Sequence, residues 1–470
     1  MALLGLELSD AGIMVAGGAP ARLLEVDGLE LESPGFAIPE KKGLLIGKSA
    51  ADKAHLFPLQ VINRFWDQLT TEPLKQKSRL VQNHAEIACA HLAHIWDNVK
   101  PHGSEMIIAV PDYYGREQLG LILGMTQELS IPVKGFVSLA VAASSTPDPG
   151  AMLLHLDIDL HRFEIVYLYQ GAHLSRENSM SVQDIGLESI YRNWVEFIAA
   201  EFVRTTRFDP LHQAATEQEL YHRLPDALEI FKSQASFIFE ISHGKHSYRT
   251  TLLRDLLIQK SEAVYAEIRR LVENIRDEHA KNGSETALQL THRVARLPGL
   301  KETLSGMDNC KILKLEPGAA ALGVLGLGSQ LADRPAGEGA SFFTSRPWQQ
   351  AEPQASPTVS YKPPGKLQPT HLLYRDVAYP FSEKPLIIGN DDYPGMQSIR
   401  VLSPAGVSGK HCTVQRSADR IVLTDYSDQG TFVDGKRIEG STILDLGQSI
   451  RLGASGETLR LIACMNTDET

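Results

Sequence analysis

The sequence has no basic runs and no long apolar runs. It carries 46 lysines and arginines against 57 aspartates and glutamates, a formal net charge of −11. Broad nucleic-acid or anionic-membrane binding would need a basic patch or run, so we expect neither, although a local basic pocket remains compatible with this composition. No uninterrupted apolar stretch approaches the ~20 residues needed to span a bilayer, and residues 1–18 have no positively charged start. We therefore expect no membrane span and a cytoplasmic location.

Cysteine is scarce, with only 4 in 470 residues, and the cysteines lie singly along the chain at positions 89, 310, 412 and 464. Disulfide frameworks and zinc sites need paired spacings, so these residues fit reduced packing thiols. His91 and His94 are one helical turn apart, as a metal pair can be. The apolar pattern around them instead predicts an amphipathic helix with both histidines on its surface, and we expect no metal site.

A proline-rich stretch divides the chain. Residues 329–370 have prolines at 335, 347, 353, 357, 363, 364 and 369, with glycine, serine, alanine and glutamine between them. Such a composition cannot build a core and predicts a flexible linker between a larger part, 1–328, and a smaller part, 371–466. An aromatic cluster from Phe342 to Trp348 interrupts it. This is typical of a docking segment that orders on a partner or on the protein's own domains, and the alternative is passive packing on the larger part.

The larger part alternates strand-length apolar runs with amphipathic segments, which predicts an α/β domain. The predicted strands are Leu3–Leu8, Ile13–Val15, Met106–Val110, Met152–Ile158 and Arg162–Tyr169, and the predicted long helices are Gln118–Leu129 and Leu252–Ile275.

Seven segments of this part resemble, in order, the nucleotide-binding domain of the 70-kDa heat-shock (DnaK-type) chaperones, within the actin-like ATPase superfamily. They are Leu4–Leu8, Ser33–Ala37 with Leu45–Ala51, Ile107–Pro111 with Tyr114, Leu154–Glu164, Asp184–Glu188, Val294–Leu300 and Glu316–Gly323. The resemblance implies an actin-like fold of two ribonuclease H-like repeats, with two glycine-rich hairpins that cradle phosphate.

The phosphate-binding apparatus of that family is mostly missing here. The first loop reads Ser9-Asp10-Ala11, the second lacks its glycine run, and the adenosine loop has Thr291-His292-Arg293 where the family has paired glycines. Since phosphate needs close backbone approach, these losses predict a pseudoenzyme with no expected cofactor. Glu7, Asp157 and Asp159 could still hold Mg²⁺ through water, which leaves ATP and Mg²⁺ as an alternative; otherwise they are strand-end or turn carboxylates.

The smaller part reads as short strands separated by turns, which predicts an all-β sandwich. The predicted strands are Leu372–Tyr374, Leu386–Ile388, Ile399–Val401, Cys412–Gln415, Ile421–Thr424, Thr431–Val433, Ser449–Leu452 and Leu459–Cys464. Its loop sequences Ile388-Gly-Asn390, Val407-Ser-Gly-Lys-His411 and Asp425–Gly435 resemble a forkhead-associated (FHA) domain.

The resemblance implies binding of phosphothreonine peptides at the loop end of the sandwich. Ser408 and Thr431 match the family's positions, whereas the family's arginine is Asn390 and its asparagine is Gln429. Lys410 is a candidate replacement cation. Ser408 is either a phosphate donor or a plain turn serine. The resemblance gives structural roles to Gly389, His411 and Gly430.

Together these features predict a non-catalytic, bacterial, cytoplasmic adaptor that binds protein partners through the FHA domain. The partners include phosphothreonine proteins if phosphate recognition survives, and the pseudo-ATPase domain offers a second interaction surface. One alternative is an ATP-dependent actin-like or chaperone-like switch coupled to FHA binding. Another is a phosphate-independent structural assembly protein. The sequence leaves the partner, the kinase and the oligomeric state open.

Overall fold

A computed structural model describes residues 2–41, 43–74, 80–146, 148, 150–279, 285–327, 341–347, 369–374, 377–382, 384–391, 393, 396–401, 407–417, 420–434, 436–438, 440–453 and 457–462. The chain divides into two compact units, Met1–Gln350 and Ala351–Thr470. Within the described ranges, no helix is long and apolar enough to cross a membrane. The sequence predictions for Cys464, for Gly435 and for most of the linker lie outside the described residues.

The N-terminal unit is mixed α/β, as predicted. Its strands are β1 Leu3–Glu7, β2 Met14–Gly17, β3 Arg22–Leu23, β4 Ala37–Glu40, β5 Gly43–Ile46, β6 Glu105–Val110, β7 Val133–Ser138, β8 Met152–Ile158, β9 Arg162–Gln170, β10 His173–Gln183, β11 Ser236–His243, β12 His246–Leu253, β13 Thr286–Leu290, β14 Cys310–Lys314, β15 Phe342–Phe343 and β16 Ser345–Pro347. Its helices are α1 Lys48–Ala51, α2 His84–Val99, α3 Arg116–Glu128, α4 Leu139–Ala143, α5 Leu187–Thr206, α6 Ala214–Ile230, α7 Arg254–His279, α8 His292–Arg296, α9 Leu300–Ser305 and α10 Ala319–Leu325.

Two six-stranded sheets in this unit share the same order of five strands, and β15 and β16 add a sixth strand at opposite edges. The first runs β15-β7-β6-β1-β2-β3 and the second runs β14-β13-β8-β9-β10-β16. In each sheet three antiparallel strands precede two parallel ones: β1, β2 and β3 are followed by β6 and β7, and β8, β9 and β10 by β13 and β14. The unit is therefore an internal duplication in which the ends of β1 and β8 occupy equivalent places.

The two sheets share a core. One cluster of buried side chains contains residues of both, including Ile107 and Val137 from the first sheet and Leu153 and Val166 from the second. Helix α10 packs closely on this junction, because a Cβ on Gly323 would collide with the carbonyl oxygen of Ala142 in α4. This close packing places the start of α10 beside the end of β1.

Residues 341–347, which we name the strap, pair with both sheets. Strand β15 lies parallel to β7 and β16 lies antiparallel to β10. The amide of Phe136 donates to the carbonyl of Ser341 (3.0 Å), and that of Arg176 donates to the carbonyl of Thr344 (2.8 Å). These residues are thus ordered on the N-terminal unit, which fits both the predicted docking segment and the alternative of packing on the larger part.

The C-terminal unit is an all-β sandwich, as predicted. Its strands are β17 His371–Tyr374, β18 Val377–Pro380, β19 Leu386–Gly389, β20 Ser398–Arg400, β21 Cys412–Ser417, β22 Arg420–Asp425, β23 Thr431–Val433, β24 Lys436–Arg437, β25 Ser441–Leu444, β26 Ser449–Leu452 and β27 Thr458–Ile462. One sheet has the order β18-β17-β27-β26-β23-β24 and the other β20-β19-β21-β22-β25. Buried aliphatic side chains of both sheets form one core, with Ile388, Leu423, Ile450 and Leu459 at most 1% exposed.

Candidate functional site

Three segments meet at one end of the sandwich, which we call the loop end: residues 389–391, 407–411 and 425–431. The amide of Asn390 donates to the carbonyl of Ser408 (3.3 Å), and the amide of Tyr426 donates to the carbonyl of His411 (2.8 Å). The amide of Asp428 donates to Ser408 Oγ (3.4 Å). The structure thus brings together the residues that the sequence pattern singled out in separate loops.

Two glycines allow these loops to approach each other. A Cβ on Gly389 would collide with the carbonyl oxygen of Gly409, so a larger residue would push the 407–411 loop away. Gly430 has φ +79°, in the left-handed region that favours glycine. The close contact at Gly389 and the backbone conformation of Gly430 agree with structural roles for these two glycines.

His411 orders the loop from inside the domain. It is fully buried, and its Nδ1 accepts a hydrogen bond from the amide of Ser408 (3.1 Å). Burial lowers the pKa of His411 against the opposing effect of Asp425. A neutral imidazole that accepts at Nδ1 explains the loop conformation without any catalytic role.

The other predicted site residues differ in what they leave available to a ligand. Thr431 is fully buried and donates to Asp425 Oδ1 (2.7 Å), while Asn390 Nδ2 donates to the carbonyl of Val407 (2.9 Å). Lys410 and Gln429 are exposed. Ser408 Oγ accepts from a backbone amide and keeps its own proton to donate.

Sequence reasoning missed Asp425 and Tyr426. Asp425 accepts hydrogen bonds from the amide and hydroxyl groups of both Ser427 and Thr431. Burial alone would raise the pKa of Asp425, but these bonds outweigh it and the pKa lies below its usual value. Tyr426 lies beneath Lys410, whose Nζ is 4.0 Å from the ring centroid. The spacing of Asp425 and Ser427 is that of an Asx turn and could have indicated the first contact. The order of residues carries no signal for the contact between Tyr426 and Lys410.

In the N-terminal unit, Glu7, Asp157 and Arg293 meet where the ends of β1 and β8 face each other. Arg293 Nη2 is 3.0 Å from Glu7 Oε1 and 3.3 Å from Asp157 Oδ2, and its Nη1 is 3.4 Å from Glu32 Oε1. Glu7, Asp157 and Arg293 are each at most 4% exposed. Burial would raise the pKa of Asp157, but Arg293 outweighs it and keeps the carboxylate ionised. A side-chain cation therefore joins the two sheets.

Asp159 lies beside this cluster and makes a second contact between the two halves. It accepts a hydrogen bond from Ser9 Oγ (2.5 Å), and the neighbouring Leu160 amide donates to Asp10 Oδ1 (2.6 Å). Burial, followed by the charge of Asp157, raises the pKa of Asp159 to about 7. The loops that resemble phosphate hairpins therefore bond directly to each other.

This raised pKa predicts a pH-dependent stability. A carboxyl whose folded pKa exceeds its unfolded value contributes stability that is fully present below the unfolded pKa, here 3.8, and is lost as pH rises through about 7. We expect Asp159→Asn to remove this contribution, because an amide still accepts from Ser9 but does not ionise. Urea unfolding of the parent and the variant at pH 5 and pH 8 measures this contribution. The free energy of unfolding of the variant, relative to that of the parent, should be higher at pH 8 than at pH 5. An equal difference at the two pH values contradicts the prediction.

The two histidines of α2 have structural partners. His91 is fully buried and contacts Ser33 Oγ (2.8 Å) and Trp66 Nε1 (3.0 Å), so its predicted surface position was wrong. His94 pairs with Asp27 (3.0 Å). Over the described residues, no group of three or more histidine, cysteine, aspartate and glutamate side chains is arranged to hold a metal.

Comparison with known proteins assigns the C-terminal sandwich. No curated protein matches the chain in sequence. The family model of the FHA domain matches residues 386–453, a range that contains the whole loop end. FHA domains are generally phosphopeptide-binding modules of protein interaction. The prediction of an FHA domain is confirmed, and these residues of the chain are one.

Proposed function

We propose that the protein is a non-catalytic cytoplasmic adaptor. Its FHA domain binds protein partners at the loop end, including partners that carry phosphothreonine, and its N-terminal unit is a pseudo-ATPase that serves as a second interaction surface. The observation that carries the proposal is the match to the FHA family together with the convergence of Ser408, Lys410 and Gln429 at one end of the sandwich.

The duplication in the N-terminal unit supports a degenerate actin-like fold. Each half has three antiparallel strands followed by helices and two parallel strands, which is the ribonuclease H-like arrangement that the sequence resemblance implied. The residues present do not fit a Mg²⁺ ion, because Arg293 already gives Glu7 and Asp157 a cationic partner. Introducing a divalent cation would place it against a buried guanidinium.

Capture of paired peptides tests the adaptor role. The immobilised full chain is incubated with two degenerate peptide pools that differ only in whether the fixed central threonine is phosphorylated. We expect preferential capture of the phosphorylated pool, because phosphate accepts charge-assisted hydrogen bonds that a hydroxyl does not. Equal capture would contradict phosphate recognition and favour phosphate-independent assembly, and capture of neither pool would contradict peptide binding by the loop end.

A specific cavity favours the alternative of an ATP-dependent switch. It has a volume of about 280 Å³ and lies beside residues 295–299, within the segment that resembles the adenosine loop. Its basic lining residues are Lys232, Arg254, Arg296, Lys301 and Lys314, and Glu302 is the acidic one. Calorimetric titration of the full chain with Mg-ATP separates the two functions. We expect no binding, and micromolar binding would overturn the pseudo-ATPase proposal.

A further inference from the structure

Two exposed cations, Lys410 in the loop end and Arg437 beside it, make no ion pair with any residue that the structure describes. Lys410 rests on the ring of Tyr426. Arg437, in β24, lies against Gly430: a Cβ on this glycine would be 3.0 Å from the guanidinium carbon of Arg437. Both side chains are exposed, so their charge is available to a ligand.

The position of Arg437 follows from the pairing of β23 with β24. Phe432 is the register partner of Arg437, and the amide of Ile438 donates to the carbonyl of Thr431 (2.9 Å). Gly430 is two residues from Asp428, whose amide bonds Ser408 Oγ. Since successive Cα atoms are about 3.8 Å apart, Gly430 lies within about 8 Å of Asp428. Arg437, on β24, and Lys410, in the 407–411 loop, therefore flank the same short loop.

We propose that Arg437, together with Lys410, supplies the positive charge that is missing at Asn390, and that the ligand is a phosphothreonine peptide whose phosphate accepts from Ser408. A guanidinium presents a planar fork that matches phosphate oxygens, and an ammonium adds a point charge. The inference rests on the proposed function of the FHA domain and names a residue that makes this domain selective for phosphothreonine peptides. Arg437 lies outside the positions that the sequence resemblance marked.

Carboxylates at the loop end set the requirement for two cations. Asp391 lies over Gly409, where a Cβ would collide with its carboxylate, and Asp428 is exposed beside Ser408. Each carboxylate repels a phosphate dianion. Lys410 alone does not outweigh these two exposed carboxylates, whereas Lys410 and Arg437 balance them before the hydroxyl of Ser408 and the loop amides contribute. The third carboxylate of the loop end, Asp425, is already bonded by the amides and hydroxyls of Ser427 and Thr431.

Charge-removing variants of the full chain test this assignment. We expect Arg437→Met to weaken binding of the phosphothreonine pool about 10- to 100-fold, the range for one charged hydrogen bond, without changing binding of the unmodified pool. Arg437→Lys should bind the phosphothreonine pool with an affinity between those of the parent and of Arg437→Met, because lysine keeps the charge but loses the planar fork of the guanidinium. Asp391→Asn should strengthen binding of the phosphothreonine pool.

Arg420→Met is the matched control. Arg420 is exposed and lies at the opposite end of β22 from Asp425, so its loss should leave both affinities unchanged. Arg437→Met with parental affinity for the phosphothreonine pool overturns the inference while the proposed function stands. Equal weakening by Arg437→Met and Arg420→Met also overturns it, since only general electrostatics would then be at work. A parent chain that captures neither pool defeats the proposed function itself.

Discussion

Replacement of Arg293 by methionine is expected to lower the free energy of unfolding of the N-terminal unit by about 3–5 kcal/mol, the usual cost of removing one partner from a buried ionic network. Methionine has a similar reach and an apolar end, but Glu7 and Asp157 would stay buried with no cation between them. The substitution also removes the cation beside Glu32, a residue in another segment of the first half that Arg293 contacts.

Tryptophan fluorescence during urea unfolding measures this effect, because Trp66, Trp96 and Trp194 lie in the N-terminal unit. Arg204→Met is the control, since Arg204 forms an exposed ion pair with Glu201 and its loss should leave the midpoint unchanged. The triple variant with Glu7→Gln and Asp157→Asn should recover much of the loss, because the amides at these two positions are uncharged and need no counter-ion. A midpoint for Arg293→Met equal to that of Arg204→Met would contradict the network.

The FHA domain could be predicted because its signature is local. Ser408, His411 and Gly430 lie in short loops between strands, and Gly389 ends β19. The hydrogen bond between Ser408 and His411 joins residues three apart, and Gly430 owes its role to its own backbone conformation. Arg437 escaped prediction because its contact with Gly430 requires the β23–β24 pairing, which the sequence does not specify.

The N-terminal cluster was only half predictable. The missing glycines indicated that the phosphate loops are lost, and the bulky residues at 291–293 were evident. However, Arg293 and Glu7 are 286 residues apart, so no periodicity or spacing relates them. His91 shows the same limit: an amphipathic pattern placed it on the surface, but Ser33 and Trp66 from other segments satisfy both of its nitrogens inside the core.

The strap shows tertiary context overriding composition. The composition of residues 329–370 predicted a flexible linker that an aromatic cluster interrupts, and the edges of β7 and β10 offer backbone groups that this short segment satisfies. Its aromatic rings add apolar contacts. Phe342 lies beneath the guanidinium of Arg176 at 5.3 Å, and the ring of Phe343 covers Gly135, where a Cβ would be 3.1 Å away.

Removal of both rings, in the variant Phe342→Ser with Phe343→Ser, is therefore expected to release the strap from both sheets. The amides of Phe136 and Arg176 donate to strap carbonyls, so they should lose protection from hydrogen exchange together. Each ring is only partly buried, and we expect the opening free energy to fall by about 2–3 kcal/mol, which is roughly 30- to 150-fold faster exchange.

Amides of β8 in the interior of the second sheet serve as the internal reference, because β8 is paired on both sides by β9 and β13. Phe57→Ser removes an exposed ring elsewhere in the same unit and should change neither strap amide. If only Phe136 exchanges faster, the two strands of the strap open separately and the segment does not act as one connection between the halves. If both amides accelerate together while β8 is unchanged, the strap is a cooperative unit whose stability is set by its two aromatic rings.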